Sequence, residues 1–168
     1  VRLFAGVRRE KGPEANLMGH YTLLRHAGRE LSAVAREADA GWTGELASRA
    51  LAATRVAAAC ALERSVTQKP AVAASSAGDG RVIARGLLGR GHATVLSSGA
   101  THEDVSRALA RLPVTADPTK RQTLEQLQTA LSTFNRYQYG RDPEFDRAAI
   151  DAALSAAQSA TSRLKSGA

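Results

Sequence analysis

TGELASRALAATRVAAACALERSVTQKP, residues 43–70, is the stretch whose reading decides the fold. Leu46, Ala50, Ala53, Ala57 and Cys60 recur at three- and four-residue spacing and so share one face of a helix. Leu51, Ala58 and Leu62 widen that face. A helix apolar over so wide an arc needs neighbours on several sides, which puts it at the centre of a bundle. Thr43 suits the N-cap, where a hydroxyl accepts from an otherwise unpaired backbone N–H. The helix is expected to run to about Gln68, just before Lys69-Pro70.

The segments on either side supply the neighbours. Gly12-Pro13 opens a first helix, with Leu17, Tyr21, Leu24, Gly28, Leu31, Ala35 and Ala38 along one face and Gly41 as its stop. Gly28, Ala35 and Ala38 are small enough to let a neighbouring helix come close. Further on, Thr101-His102-Glu103-Asp104 is a near capping box for a short helix that ends around Leu112-Pro113. Asp117-Pro118 starts the next helix, in which Leu124, Leu127, Leu131, Phe134 and Gln138 keep the spacing up to Tyr139-Gly140. Asp142-Pro143 starts the last, with Phe145, Ala149, Ala152, Ala156 and Ser159 on one face. Ile150, Ala153, Leu154, Ala157, Ala160 and Leu164 lie beside them. The short Gly140–Asp142 link makes these two helices antiparallel.

Residues 70–100 break the helical pattern. AVAASSAGDG is turn-prone, and RVIARGLL and ATVLSS then flank GRGH as the arms of a hairpin would, with a short helix over Arg81–Leu88 as the alternative. The expected fold is therefore all-α: four long helices and a short fifth, interrupted by a 30-residue excursion at about 70–100 that is partly ordered. Residues 1–12 form a basic arm, and residues 13–168 a single helical domain, as a chain of 168 residues allows.

Composition narrows the setting. The chain is 43% hydrophobic but only 4% aromatic, an Ala-rich balance that suits helices in close contact. Its single cysteine, Cys60, allows no internal disulfide, which suits a reducing compartment, and in its apolar surroundings it reads as a small buried hydrophobe. No run of 18 or more apolar residues is present and residues 1–13 lack the apolar centre of a signal peptide, so the expected location is cytoplasmic, with membrane association as the variant. The abundance of Ala, Arg and Gly fits a GC-rich bacterial genome.

Net charge is +7, and by segment it is uneven. Residues 1–12 hold Arg2, Arg8, Arg9 and Lys11 against Glu10; residues 66–100 hold Lys69, Arg81, Arg85 and Arg90 against Asp79. Each segment is +3, whereas residues 13–65 balance six bases with six acids and residues 101–168 carry nine bases and eight acids. Local positive excess attracts anions, so Arg2, Arg8, Arg9, Lys11, Arg81, Arg85 and Arg90 are the candidate anion-binding residues. Their partners would be an anionic membrane surface or nucleic acid.

The segment GLLGRGHATVLSSGATHED, residues 86–104, gathers the groups with chemical potential. Gly86, Gly89 and Gly91 come in the wrong order for a dinucleotide fingerprint, and no Gly-Lys-Ser/Thr follows for a P-loop. Gly86-Leu87-Leu88-Gly89 matches only the bare GXXG of single-strand clamps. Ser97-Ser98-Gly99 lacks the nucleophile elbow. His92 and His102 are the weak candidates for a catalytic base, His102 standing at a helix cap beside two acids. His26 and Glu30, at i and i+4, could both reach one ion, but they read as a surface pair, and neither a metal nor a cofactor is expected.

The tail FNRYQYGRDPEFDRAAIDAALSAAQSATSRL resembles the ends of soluble C-terminal domains of bacterial membrane proteins of unknown function, which close with aromatic-x-Arg-x-Arg-Tyr-Gly and a helix. Phe134, Arg136, Tyr139 and Gly140 fit that pattern, and Gln138 stands where the second Arg is usual. The resemblance covers about 30 of the 168 residues and implies a cytosolic or membrane-adjacent domain without established chemistry.

Three functional readings follow. The first is a non-enzymatic helical interaction module with a protein partner, its small-residue seams also serving a homodimer. The second is a nucleic-acid-binding protein using segments 1–12 and 66–100; only Phe4 is aromatic in either, so a stacking platform is poorly supplied. The third is an enzyme with its site between the 70–100 excursion and the bundle.

Overall fold

The computed structural model describes residues 17–72, 80–86, 93–139 and 146–167. Among these, five helices and a three-stranded sheet follow in the order α1 (His20–Ala38), α2 (Gly44–Ala61), β1 (Thr67–Pro70), β2 (Arg81–Ala84), β3 (Thr94–Ser97), α3 (His102–Arg111), α4 (Pro118–Tyr139) and α5 (Arg147–Gly167). The four long helices alternate in direction: α2 packs on α1 and α4, α5 packs on α4 and α1, and α3 lies on α4. Thirteen of the 18 residues of α2 are buried, as the wide apolar arc of residues 43–62 requires. No helix among the described residues is long and apolar enough to cross a membrane.

The helix ends are fixed by short polar devices. The Thr43 hydroxyl accepts from the Leu46 N–H at 3.2 Å. Thr101 and Asp104 complete a reciprocal capping box at the start of α3. Asp117 accepts from the Thr119 N–H at 2.9 Å beside Pro118, the first residue of α4. Gly41, at φ +134°, supplies the left-handed turn between α1 and α2.

Several sequence expectations need correction. Residues 17–19 are not helical, so the first helix does not run continuously from Pro13; it starts at His20, and Leu17 and Tyr21 are about half exposed rather than on the core face. The second helix stops at Ala61, not near Gln68. The N–H of Arg64 reaches back to the carbonyl of Ala59 at 2.8 Å, with Glu63 in the left-handed conformation at φ 55°. That closure leaves the last carbonyls of α2 paired and turns the chain out of the helix. In α5 the buried face is Ile150, Ala153, Leu154, Ala157, Ala160 and Thr161, whereas Ala149 and Ala152 are exposed. Asp146 caps α5 by accepting from the Ala149 N–H at 3.2 Å; residues 140–145, with the expected start at Asp142-Pro143, lie outside the described residues.

The excursion is a small antiparallel sheet in the order β1-β3-β2. The arms read as a hairpin do pair, with Arg81 opposite Ser97 and Ala84 opposite Thr94, so residues 81–84 are strand rather than helix. Residues 67–70 add a strand where the helix was expected to end at about Gln68, with Thr67 opposite Ser97 and Pro70 opposite Thr94. Pro70 is tolerated because β1 is an edge strand and the ladder bond beyond it is made by Ala71, whose N–H donates to the carbonyl of Ala93 at 2.8 Å. Val82, Ala84 and Leu96 turn inward and seat the sheet on α1 and α2.

Candidate anion-binding groove

α1 carries two charged faces, and they are treated in opposite ways. Glu30 and Glu37, two turns apart, point to α2, where Arg49 bridges them. Its Nε donates to Glu30 Oε1 at 2.6 Å and its Nη1 to Glu37 Oε2 at 2.8 Å. The Arg49 side chain is only 11% exposed. Burial alone would lower its pKa, but the hydrogen bonds and charges of the two glutamates outweigh that and hold it above the ordinary value. The acids of α1 that stand beside its arginines are thus spent on the α2 side.

Arg25, Arg29 and Arg36 fall at i, i+4 and i+11 and so line up on the side facing α5. Opposite them, Gln158, Thr161, Ser162 and Lys165 fall at i, i+3, i+4 and i+7 on α5. Between the two stripes runs a groove of about 540 Å³ with Leu24 in its floor and Gly28 and Ser32 along its wall. Among the described residues its lining has four cations and no acid. Arg25 to Arg36 spans about 16 Å of helix axis at 1.5 Å per residue. The Arg25 Nε is buried and bonds to nothing among the described residues, although buried donors are almost always paired. No ion pair is formed by Arg25, Arg29, Arg36 or Lys165 among the described residues.

The field of this stripe is felt by its neighbour. His26 is buried, and burial first, then the charges of Arg25 and Arg29, hold its pKa below 6.5. The His26–Glu30 pair is therefore not a surface pair: His26 is 8% exposed and the Glu30 carboxylate belongs to Arg49. Among the described residues no cluster of three or more His, Cys, Asp or Glu is placed to hold a metal ion.

The residues singled out in the sequence fall elsewhere. Arg81 is exposed at the head of β2 and Arg85 is exposed just past its end; neither lines the groove. Arg2, Arg8, Arg9, Lys11, Arg90 and His92 lie outside the described residues. His102 is the first residue of α3, with Nε2 3.6 Å from Glu103 Oε1. It borders a recess of only about 90 Å³ with Leu51, Arg55, Leu131 and Asn135, small beside the roughly 300 Å³ or more of ordinary ligand pockets. The hydroxyl of its neighbour Thr101 is held by the capping box. Burial pushes the Cys60 thiol up to about 11, which keeps it protonated and inert near neutrality.

The groove was hidden from the sequence reading because residues 13–65 balance by count. The available signal was the registry of three arginines at i, i+4 and i+11, with two glutamates at i+5 and i+12 turned one residue further round the helix. Comparison with family models, with characterised proteins and with solved structures gives no match for this chain.

Proposed function

We propose that this protein is a non-enzymatic helical interaction module that binds an acidic segment of a protein partner along the α1–α5 groove. One observation carries the reading: among the described residues, four cations and no acid line a single groove, while the acids of the same helix are paired on its other side. Three of the four are arginines, whose planar forks bind carboxylates in pairs of hydrogen bonds. The arginine stripe extends about 16 Å, three turns of a partner helix bearing Asp or Glu at matching spacing. Among the described residues no aromatic side chain lines the groove, which disfavours a single-stranded nucleic acid held by stacking. The basic arm, with Arg2, Arg8, Arg9 and Lys11, and the strand residues Arg81 and Arg85 would add long-range attraction for the same partner.

The test is fluorescence anisotropy with a labelled 15-residue Glu-rich helical peptide and a DNA duplex of equal charge, at about 50 and 200 mM salt. The expected result is peptide binding that weakens with salt and falls at least tenfold in an Arg29→Glu/Arg36→Glu variant. Tight duplex binding with a steep salt slope and no peptide binding would replace this reading with the nucleic-acid one. Equal binding of the peptide by the variant and the unaltered chain would remove the groove from the account.

A further inference from the structure

The two ends of the bundle are built differently. At the end where α1 gives way to α2, the Trp42 indole N–H donates to Asp151 Oδ1 at 2.8 Å, and its ring lies 6.2 Å from that of Phe134. Gln138 donates to the Ser48 hydroxyl at 3.0 Å and Arg147 to the carbonyl of Ala38 at 3.3 Å. These bonds tie all four long helices together. At the opposite end, where α2 and α5 finish and α4 begins, the core is left open. One cavity of about 390 Å³ lies between α2, α3 and α4, and a second of about 250 Å³ lies between α2, α4 and α5. Ala61, Lys120 and Leu124 line both.

The lining has two kinds of surface. Leu62, Leu112 and Leu164 are only partly buried and, with Ala61 and Leu124, form an apolar floor. Arg64, Arg107, Arg111, Lys120 and Arg163 stand round it, against Glu63, Asp104 and Asp117. Two of those acids are already engaged. Asp104 pairs with Arg64 at 3.0 Å and caps α3, and Asp117 caps α4. Lys120 is exposed and, among the described residues, pairs with no acid. The one charged side chain that lines both cavities among the described residues is therefore a cation without an acid partner there, above an apolar floor.

We infer that the open bundle end binds a small amphiphilic carboxylate, its alkyl chain on Ala61, Leu124 and Leu164 and its carboxylate on Lys120. Charge complementarity selects the occupant: a cationic amphiphile is repelled by the rim, and the chain's own arm, +3 over residues 1–12, carries the same sign as the rim. A fully polar anion would leave the leucine floor wet. The first cavity falls at the small end of the range for ligand pockets and the second just below it, which suits a medium-chain acid rather than a membrane lipid. This site shares no residue with the α1–α5 groove, so each can fail without the other.

Titration calorimetry and chemical-shift mapping on the full chain with hexanoate, octanoate and decanoate test the inference. Affinity is expected to rise about fourfold per added methylene, as burial of each CH₂ predicts. The largest shifts are expected at Ala61, Lys120, Leu124 and Leu164. Lys120→Glu should weaken decanoate at least tenfold without changing thermal unfolding, because Lys120 is exposed. Decyltrimethylammonium binding as tightly as decanoate, shifts scattered away from these residues, or an unchanged affinity in Lys120→Glu would each overturn it.

Discussion

The two charged faces of α1 use the same residue types within one helix and reach opposite states. On the α2 side, Glu30 and Glu37 are closed by Arg49, with every distance below 3 Å and the Arg49 guanidinium almost out of water. On the α5 side, Arg25, Arg29 and Arg36 face Lys165 across a groove and find no acid among the described residues. The closed face is structural, because its charges complete one another. The open face is unfinished, because its charges add. A charge total taken along the chain cannot separate the two, since it sums over faces that never meet.

The largest expected effect breaks the closed face. Arg49→Ala leaves the partly buried Glu30 and its hydrogen bonds uncompensated, and should cost about 2–4 kcal/mol in chemical denaturation, in line with removal of one partner from a buried pair. A loss below about 0.5 kcal/mol would mean that the bridge is no tighter than an exposed ion pair. The second effect has the opposite sign and lies on the open face. A Cβ added at Gly28 would meet only the Thr161 methyl, at an ordinary 3.8 Å. Gly28→Ala should therefore stabilise the chain by about 0.5–1 kcal/mol through helix propensity, read from the denaturation midpoint. Destabilisation would show that α1 and α5 sit closer than this geometry allows. Gly28 is small, but the approach of α5 does not require it to be.

The third prediction sets the same residue type on the open face against Arg49. Arg36→Ala, on the exposed groove wall, should change stability by less than about 0.5 kcal/mol, since it breaks no ion pair among the described residues. A loss as large as that of Arg49→Ala would abolish the distinction between the faces. The smallest effect is a titration. The folded pKa of His26 is depressed, so its contribution to stability is complete above pH 6.5 and is lost as pH falls from 6.5 through the folded value. Arg29→Gln removes one of the repelling charges and should move the His26 pKa upward in an NMR titration. No movement would mean that burial alone sets it.

What the sequence made legible was what local rules determine. The apolar arc of Leu46–Cys60, the Thr101–Asp104 capping box and the two strands flanking Gly89–His92 depend on neighbours a few residues away, and all are present at their expected places. Thr67–Pro70 was not legible as a strand. Its residues TQKP carry no apolar alternation, and its partner β3 lies more than 20 residues away. The groove failed for a related reason. Arg25 and Arg29 are open only because Glu30 is claimed by Arg49, 19 residues further on, and because α5 brings Lys165 across from the far end of the chain. Pairings of that range are properties of the packed bundle.

The most direct measurement is a chemical-shift map of the full chain titrated with the Glu-rich peptide at low salt. The account predicts that the shifts concentrate on Arg25, Gly28, Arg29, Ser32, Arg36, Gln158, Ser162 and Lys165, and that they vanish at about 200 mM salt as screening shortens the reach of the groove. Shifts confined to Arg81, Arg85 and the basic arm, with the α1–α5 groove silent, would contradict it.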